Sequence, residues 1–286
     1  MTIKTVRIKN FFELVKFEHT VFALPFAYLG MMLAPGHPRL SVFFWVTLAM
    51  VGARTCGMTL NRLIDLEADA KNPRTSGRPL VTGEIRVAQG WCVAGAGLVI
   101  FLFSAWRLNP LCFKLAPLVL IPLAGYHFVK RFSYLCHWTL GLVLSIAPMG
   151  GWMALSGVFS WKPVFLSLAV LFWVAGFDIL YSLQDVQFDR ENGLHSAPVR
   201  FGIERAIVIS RACHGVAILF LLAFGIAMSL GVLYWAGVLA VSGLFIFEHR
   251  IVSEKDLSRI NTAFFSVNGW IGILLLVFTF LDVFKG

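Results

Sequence analysis

Charged residues are scarce in this sequence. Asp, Glu, Lys and Arg make up only 14% of its 286 residues, whereas hydrophobic residues make up 58%, and the mean hydropathy is +0.80. A soluble domain carries about 25% charged residues. The composition therefore excludes an ordinary soluble protein and indicates an all-helical polytopic membrane protein, because helices satisfy their own backbone hydrogen bonds in lipid.

Cysteine pairs and common catalytic motifs are lacking as well. The five cysteines are scattered and form no CxxC pair, so neither a disulfide framework nor a zinc site is expected. The sequence has no GxSxG nucleophile elbow and no GxxxxGK[ST] phosphate loop, and the second absence argues against nucleotide hydrolysis. The seven histidines are dispersed and are interpreted as loop or interfacial residues, with His195, six residues after Asp189, as the exception.

Long apolar runs dominate what is present. A helix needs roughly 20 residues to cross a hydrocarbon core about 30 Å thick. Nine spans are predicted, at 18–35, 41–60, 90–107, 112–129, 137–157, 163–183, 206–228, 231–248 and 263–282. The N-terminus is basic and amphipathic, and no small-residue cleavage site follows the first run, so a removable signal peptide is not expected.

Lys and Arg are distributed unevenly between these spans. Eighteen fall at the N-terminus and in the even-numbered connections, and five fall on the opposite side. Because cytoplasmic loops carry the excess of positive charge, this bias predicts that the N-terminus is cytoplasmic. The same bias accounts for the net charge of +9, so no nucleic-acid partner is expected.

Two long polar connections on the predicted cytoplasmic face contain matched pairs of aspartates. Asp65 and Asp69 stand four residues apart, as do Asp185 and Asp189, and each member of the second pair follows its counterpart by 120 residues. Residues four apart point to the same side of a helix. Two helix ends on one membrane face are therefore expected to bring four carboxylates into one cavity.

The polar pattern extends from each aspartate pair into the preceding span. Arg54 and Asn61 share a helix face with Asp65, and Asp178 and Tyr181 extend the second pair at spacings of three and four. An arginine inside a span is costly unless it faces a polar cavity or a partner. One such stripe is explained by a snorkelling helix end, but two matched stripes on one face favour a site.

The donor types at these positions favour a hard cation and a phosphorylated ligand. Carboxylates with an amide oxygen suit Mg²⁺, which proteins usually hold together with substrate phosphates. Cations on the same face can neutralise a diphosphate, although the positive-inside bias also explains part of this set: Arg62, Lys71, Arg74, Arg78, Lys130, Arg131 and Arg200. A polyisoprenyl diphosphate, with its tail among the 27 Phe and 9 Trp, fits this combination.

These residues resemble the motifs of the UbiA superfamily of intramembrane aromatic prenyltransferases. The resemblance covers essentially the whole chain and rests on Asn61-x-x-x-Asp65-x-x-x-Asp69 with Arg74-Thr75 and Arg78-Pro79-Leu80-x-x-Gly83, on Tyr126-x-x-x-Lys130-Arg131, and on Tyr181-x-x-x-Asp185-x-x-x-Asp189 with Pro198-Val199-Arg200-Phe201-Gly202. It implies nine transmembrane helices around a central cavity that opens to the cytoplasmic side. A single domain over residues 1–286 is expected, in the bacterial inner membrane.

The resemblance also implies roles for individual residues. The implied Mg²⁺ ligands are Asn61, Asp65, Asp69, Asp185 and Asp189. The implied diphosphate contacts are Arg62, Arg74, Lys130 and Arg131. Arg62 stands where many family members have Asp in an NDxxDxxxD motif, so the first motif has one carboxylate fewer and Arg62 is available for the diphosphate.

The reaction expected from these roles is electrophilic aromatic substitution. The cations stabilise the leaving diphosphate, and the ring face of Tyr126 or Tyr181 stabilises the allylic cation. Arg54 is the candidate partner for an acceptor carboxylate, and Asp69 or Asp178 is the candidate for taking the ring proton. The membrane cavity keeps water from the cation.

Three longer stretches narrow the resemblance within the family. FEHTVFALPFA, ARTCGMTLNRLIDLEADAKNPRT and DVQFDRENGLHSAPVRFG resemble the 4-hydroxybenzoate polyprenyltransferase branch, in its bacterial subgroup associated with futalosine-route menaquinone synthesis. The implied acceptor is 4-hydroxybenzoate or, alternatively, 1,4-dihydroxy-6-naphthoate. The alternative from another class is a cation-coupled transporter, which predicts acidic residues near span midpoints rather than at span ends.

Overall fold

The structure is a computed structural model that describes residues 8–15, 20–37, 39–253, 257 and 259–285. Lys4, Arg7, Lys16, His19 and Lys255, which enter the predictions about charge, histidine and the N-terminus, lie outside the described residues. The chain divides into two compact units. One comprises Met1–Thr20 and Leu40–His127, and the other comprises Val21–Arg39 and Phe128–Gly286. The single domain over 1–286 stays a prediction.

The described residues form helices joined by turns. In chain order the helices are α1 Ile8–Val15, α2 Thr20–Leu33, α3 Leu40–Ile64, α4 Leu66–Lys71, α5 Val87–Leu108, α6 Pro110–Val129, α7 Cys136–Ser156, α8 Lys162–Ser182, α9 Val186–Glu191, α10 Ala197–Phe201, α11 Ile203–Met228, α12 Val232–Ile251, α13 Ile260–Thr262 and α14 Asn268–Lys285. A 3-10 turn, Leu183–Asp185, follows α8, and a π turn, Ala263–Val267, precedes α14.

Eight helices in the described part of the chain are long and apolar enough to cross a membrane: α3, α5, α6, α7, α8 with its continuation to Glu191, α11, α12 and α14. The shorter apolar segment Phe22–Leu33 in α2 occupies the first predicted span. These nine helices correspond one to one with the nine predicted runs. The multi-pass helical fold is therefore confirmed, with nine as an approximate count because α2 is shorter than the hydrocarbon core. The central cavity and its cytoplasmic opening stay predictions.

In the first unit, α3 packs closely against α5 through glycine. A Cβ atom on Gly97 would lie 2.7 Å from the backbone nitrogen of Cys56, and one on Gly52 would lie 2.7 Å from that of Phe101. No side chain fits there, so the two backbones approach as small residues at membrane-helix interfaces allow. Leu14 of α1 forms a small core with Leu80 and Ile85, which fixes the connection that follows the first aspartate pair.

In the second unit, α8 packs against both α7 and α11. Its buried face includes Trp173 and Phe177, whose ring centroids are 5.3 Å apart, and Phe26 of α2 lies 5.1 Å from the Trp173 ring. Phe26, Trp173 and Phe177 are each at most 3% exposed. The helix that carries Asp178 and Tyr181 is thus packed against α2, α7 and α11 before it reaches the second polar connection.

Candidate active site

Asp65 and Asp185 occupy equivalent positions in the two polar connections. Each directly precedes a six-residue helix: Asp65 follows α3, and Asp185 ends the 3-10 turn that follows α8. The backbone angles are φ −95° and ψ 9° at Asp65 and φ −105° and ψ 4° at Asp185. This region of backbone space is sparsely populated and is common among active-site residues. The two aspartate pairs therefore match in backbone conformation as well as in sequence spacing.

Helical hydrogen bonding continues across the first of these breaks. The backbone N–H of Asp65 donates to the Asn61 carbonyl at 3.0 Å, and that of Asp69 donates to the Asp65 carbonyl at 2.7 Å. Asn61, Asp65 and Asp69 consequently keep the helical spacing that the sequence predicts. Both aspartates are buried.

The side chain of Asn61 is held by three neighbours. Its Nδ2 donates to Asp65 Oδ2 at 3.1 Å and to His127 Nδ1 at 3.1 Å, because an amide NH₂ group can only donate. Its Oδ1 accepts from Arg62 Nη1 at 3.3 Å. Arg62 is only 7% exposed and His127 only 2%. The residue that replaces the usual acid is thus built into the hydrogen-bond network of the first motif.

The connection after the first motif folds back onto Asp69. Arg78 Nη1 donates to Asp69 Oδ2, and the Thr75 hydroxyl donates to the Asp69 carbonyl at 3.0 Å. Asn72 Oδ1 accepts from the backbone N–H of Arg74 at 2.9 Å. Arg78, predicted as a substrate contact, therefore forms an ion pair with a predicted metal ligand.

Arg54 lies two helical turns before Asn61 on α3. Its Nε is buried and has no hydrogen-bond partner among the described residues. Tyr126 lies close enough to Arg54 and to Arg62 to interact electrostatically with both guanidinium groups. A buried N–H group of a guanidinium without an acceptor is costly in a membrane span, which favours an anionic ligand at this position.

In the second unit, Asp178 forms a hydrogen bond with a buried histidine, His137. Its Oδ2 lies 2.7 Å from His137 Nδ1, and His137 Nε2 accepts the backbone N–H of Ala197 at 3.1 Å. Ala197 is the first residue of α10. His137 therefore joins the start of α7 to α8 and to the connection that follows the second aspartate pair.

That connection also contacts the segment carrying Lys130 and Arg131. The backbone N–H of His195 donates to the Lys130 carbonyl at 2.7 Å, and Cys136 Sγ donates to the His195 carbonyl at 3.4 Å. The Arg131 guanidinium lies 5.4 Å from the centroid of the Phe128 ring. His195, the histidine singled out from the sequence, makes these contacts through its backbone rather than through its ring.

The predicted site residues thus belong to two groups, one in each unit. The first group consists of Arg54, Asn61, Arg62, Asp65, Asp69, Arg74, Arg78 and Tyr126, and the second consists of Lys130, Arg131, Asp178, Tyr181, Asp185 and Asp189. Within the described residues, no three His, Cys, Asp or Glu side chains are close enough together to hold a metal ion. The donor chemistry of the first group nevertheless fits Mg²⁺, because its carboxylates supply oxygen ligands only.

Sequence reasoning missed two members of these groups. His127 and His137 are each 2% exposed and bond to motif residues, contacts that the interpretation of them as loop or interfacial histidines did not include. Their positions offered a signal, since they bracket the Lys130-Arg131 motif. His127 lies 66 residues from its partner Asn61. His137 lies 60 residues from Ala197 and 41 residues from Asp178, so local spacing did not reveal these contacts.

Comparison with known proteins decides the family. Residues 23–272 match the family model described as the UbiA prenyltransferase family. The chain belongs to the UbiA prenyltransferase family. It is therefore a multi-pass membrane prenyltransferase, as the resemblance of its motifs implied, and the transporter alternative gains no support.

Curated relatives of this UbiA family member are similar over most of their length. The chain is 30% identical to the 4-hydroxybenzoate octaprenyltransferase of Nitrosospira multiformis, covering 87% of this chain and 85% of that protein. It is 28% identical to the 4-hydroxybenzoate octaprenyltransferase of Shewanella pealeana, covering 87% and 86%.

Solved structures of UbiA homologues share the fold. The apo structure of a homologue from Aeropyrum pernix K1 has a TM-score of 0.85 at 35% identity, covering 93% of this chain and 98% of that one. A homologue from Archaeoglobus fulgidus bound to GPP and Mg²⁺ has a TM-score of 0.73 at 21% identity, covering 96% and 99%. At that lower identity the likeness concerns the fold alone.

Proposed function

We propose that this UbiA family member transfers a polyprenyl group from a polyprenyl diphosphate to an aromatic acid of the 4-hydroxybenzoate type, with Mg²⁺, in quinone biosynthesis. The observation that carries this proposal is the matched pair of helix breaks at Asp65 and Asp185, each followed one turn later by a second aspartate. Relatives named 4-hydroxybenzoate octaprenyltransferase support the choice of donor and acceptor.

Mg²⁺ is proposed to bind through oxygen atoms of Asn61, Asp65, Asp69, Asp185 and Asp189. The oxygen-only donors of the two motifs support this assignment, as does the Mg²⁺ in the structure of the Archaeoglobus fulgidus homologue. Bound Mg²⁺ supplies positive charge that stabilises a diphosphate leaving group.

The diphosphate is proposed to be bound by cations from both polar regions. Arg62 is held against Asn61, and Arg78 against Asp69, so each presents its charge beside a proposed metal ligand. Lys130 and Arg131 supply further charge in the second unit, with Arg74 completing the set. Arginine can form two parallel hydrogen bonds to phosphate oxygens, whereas lysine acts as a point charge.

The acceptor is proposed to bind with its carboxylate at Arg54. The buried Nε of Arg54, which no described residue bonds, is the structural support for this role. Tyr126 is close to the same guanidinium, and its ring face, or that of Tyr181, can stabilise positive charge on the allylic carbon by about 0.5 to 2 kcal/mol.

Two aspartates remain candidates for taking the ring proton. Asp69 is oriented by Arg78, and Asp178 is oriented by His137, so each carboxylate has one oxygen fixed by a donor. A carboxylate held in this way presents its second oxygen in a defined direction. Taken together with the metal ligands and the ring that stabilises the cation, the proposed catalytic residues are Asp65, Asp69, Asp185, Asp189 and Tyr181. Asp178 is proposed as a substrate contact.

The test is prenyl transfer by membranes that contain the full-length protein. They are incubated with a polyprenyl diphosphate, Mg²⁺ and either 4-hydroxybenzoate or 1,4-dihydroxy-6-naphthoate, and the products are identified by mass spectrometry. Prenylated 4-hydroxybenzoate supports the proposal. If only the naphthoate is prenylated, the acceptor is 1,4-dihydroxy-6-naphthoate and the enzyme is assigned to menaquinone synthesis. If neither acid is prenylated, the proposal is overturned.

A further inference from the structure

We propose that His137 is a positioning residue for the diphosphate part of the site, a role that rests on the proposed function. His137 holds the connection after Asp189 against the segment that carries Lys130 and Arg131. No family motif contains this side chain, and the proposed mechanism uses it only to orient Asp178.

Both ring nitrogens of His137 are engaged. Nε2 accepts the Ala197 N–H at 3.1 Å, so this nitrogen carries a lone pair rather than a proton. The proton of the neutral ring is then on Nδ1, which donates to Asp178 Oδ2 at 2.7 Å. One tautomer satisfies both partners, and the ring has a single fitting orientation.

Burial makes these two contacts difficult to replace. The His137 side chain is only 3% exposed, and Ala197 is fully buried, so water does not reach the contact between them. Asp178 is 24% exposed, so its side chain faces both the buried ring and more open space. Removing the ring leaves the Ala197 N–H without an acceptor in a buried position, which is costly.

Two hydrogen bonds next to the Ala197 contact connect the same connection to the segment that carries the predicted diphosphate residues. The Lys130 carbonyl accepts from the backbone of His195, and the His195 carbonyl accepts from Cys136 Sγ, next to His137. Three bonds thus join residues 195–197 to residues 130–137. Upstream, the Leu194 N–H donates to the Asp189 carbonyl at 2.8 Å, which carries the restraint back to the second aspartate pair.

The experiment compares two variants in the full-length enzyme. His137→Leu removes both contacts, whereas His137→Gln retains a donor and an acceptor on one short side chain. We expect His137→Leu to raise the KM for polyprenyl diphosphate roughly 10-fold, because a positioned cation pair is lost. Loss of the bond to Asp178, a candidate for taking the ring proton, is expected to lower kcat and to leave this KM unaffected. We expect His137→Gln to stay within about twofold of the parent enzyme.

Hydrogen exchange of the peptide spanning residues 192–201, measured on purified protein, provides a readout independent of catalysis. Exchange should be faster in His137→Leu and unchanged in His137→Gln. If the Leu variant does not fold, His137→Asn replaces it, because the shorter amide reaches Asp178 and releases Ala197. The same increases in KM and in exchange are then expected.

Three outcomes would overturn the proposal. They are an unchanged KM and exchange rate in the Leu variant, equal losses in the Leu and Gln variants, and a fall in kcat with KM and exchange unchanged. If the parent enzyme transfers no prenyl group, the proposed function fails. Hydrogen exchange of residues 192–201 is then measured with and without inorganic diphosphate in the parent protein and in His137→Leu. Protection by diphosphate that is lost in the Leu variant supports the positioning role, and protection that is equal in both proteins rejects it.

Discussion

At the residue scale, Asp65 gives the sharpest test of the proposed metal site. Asp65→Asn keeps the size of the side chain and removes its negative charge at a buried helix break. We expect prenyl transfer to fall by about 100-fold or more, since charge placed to stabilise a transition state contributes on that scale. Initial rates are to be measured across a range of Mg²⁺ concentrations.

Glu67 supplies the matched control for Asp65. It lies two residues away on α4, is exposed, and therefore points to the other side of the turn. Glu67→Gln removes the same charge and should leave the rate within about twofold. Equal losses in the two variants would indicate a general effect of charge on this face of the protein and would contradict the assigned role of Asp65.

Arg54 tests the assignment of the acceptor carboxylate. Arg54→Leu should raise the KM for the aromatic acid by roughly 10- to 100-fold, the range for a lost charged hydrogen bond, and leave the KM for polyprenyl diphosphate unchanged. Arg107→Leu is the control, because Arg107 packs on Trp45 and Trp106 at the other end of the unit's helices. A selective rise in the KM for the diphosphate would assign Arg54 to the other substrate.

The site residues that could be predicted from the sequence are those whose roles follow from their spacing along one helix. Asp65 and Asp69 stand four apart, and helical hydrogen bonds across the break preserve that spacing. His127 and His137 act through residues distant in sequence, so their roles depend on packing that a spacing rule does not contain. Arg62 was recognised as a departure from the family motif, but its bond to Asn61 required the structure.

At the scale of the elements, hydropathy predicted the helices well because each apolar run has a physical length requirement set by the membrane. The predicted run 41–60 corresponds to α3, and 137–157 corresponds to α7, with ends that differ by a few residues. The last run is less regular. It begins with a π turn at Ala263–Val267, where Asn268 Nδ2 donates to the Ala263 carbonyl at 3.0 Å. Hydropathy carries no information about such a turn.

The close packing of α3 on α5 leads to a prediction for glycine. Gly97→Ala would place a methyl group 2.7 Å from the Cys56 backbone nitrogen, so the helices must separate. We expect a loss of about 1 to 3 kcal/mol in stability, as for overpacking in other cores, and reduced activity because α3 carries the first motif. Thermal unfolding in detergent measures the first effect, and prenyl transfer measures the second.

Gly95, two residues earlier on the same helix, is the control for Gly97. A Cβ atom there would meet nothing within 4 Å, and alanine has the higher helix propensity. Gly95→Ala should therefore leave stability unchanged or raise it slightly. If both alanine variants lost stability equally, close approach of the backbones would not be the cause.

At the scale of the whole molecule, the charge bias predicts the orientation in the membrane. Ser76 lies in a connection predicted to be cytoplasmic, and Val158 lies in one predicted to be on the opposite face; both positions are exposed. In a cysteine-free background, Val158→Cys should react with a membrane-impermeant thiol reagent on intact cells. Ser76→Cys should react only after the membrane is opened, and the reverse pattern would invert the proposed topology.

The second unit also contains a polar network that joins three of its membrane helices. Trp173 Nε1 of α8 donates to Asn268 Oδ1 at 2.7 Å, and Asn268 Nδ2 of α14 donates to Glu248 Oε1 of α12 at 2.7 Å. Each of these residues is at most 2% exposed. Buried polar groups in such positions must bond to one another, because neither lipid nor water replaces a lost partner.

Asn268→Leu should therefore destabilise the protein, because two groups on other helices lose their partner. The Ala263 carbonyl, which also accepts from Asn268 Nδ2, keeps the backbone N–H of Asn268 as a donor. The indole N–H of Trp173 and a carboxyl oxygen of Glu248 would both lose a partner, at a combined cost of about 2 kcal/mol, since interhelical bonds in membranes contribute around 1 kcal/mol each. Thr279→Val on the same helix is the control, because the Thr279 hydroxyl donates to the Leu275 carbonyl within α14 and not to another helix of the described part of the chain. Thermal unfolding of the two variants in detergent separates the cases: similar midpoints would mean that the network does not hold α8, α12 and α14 together.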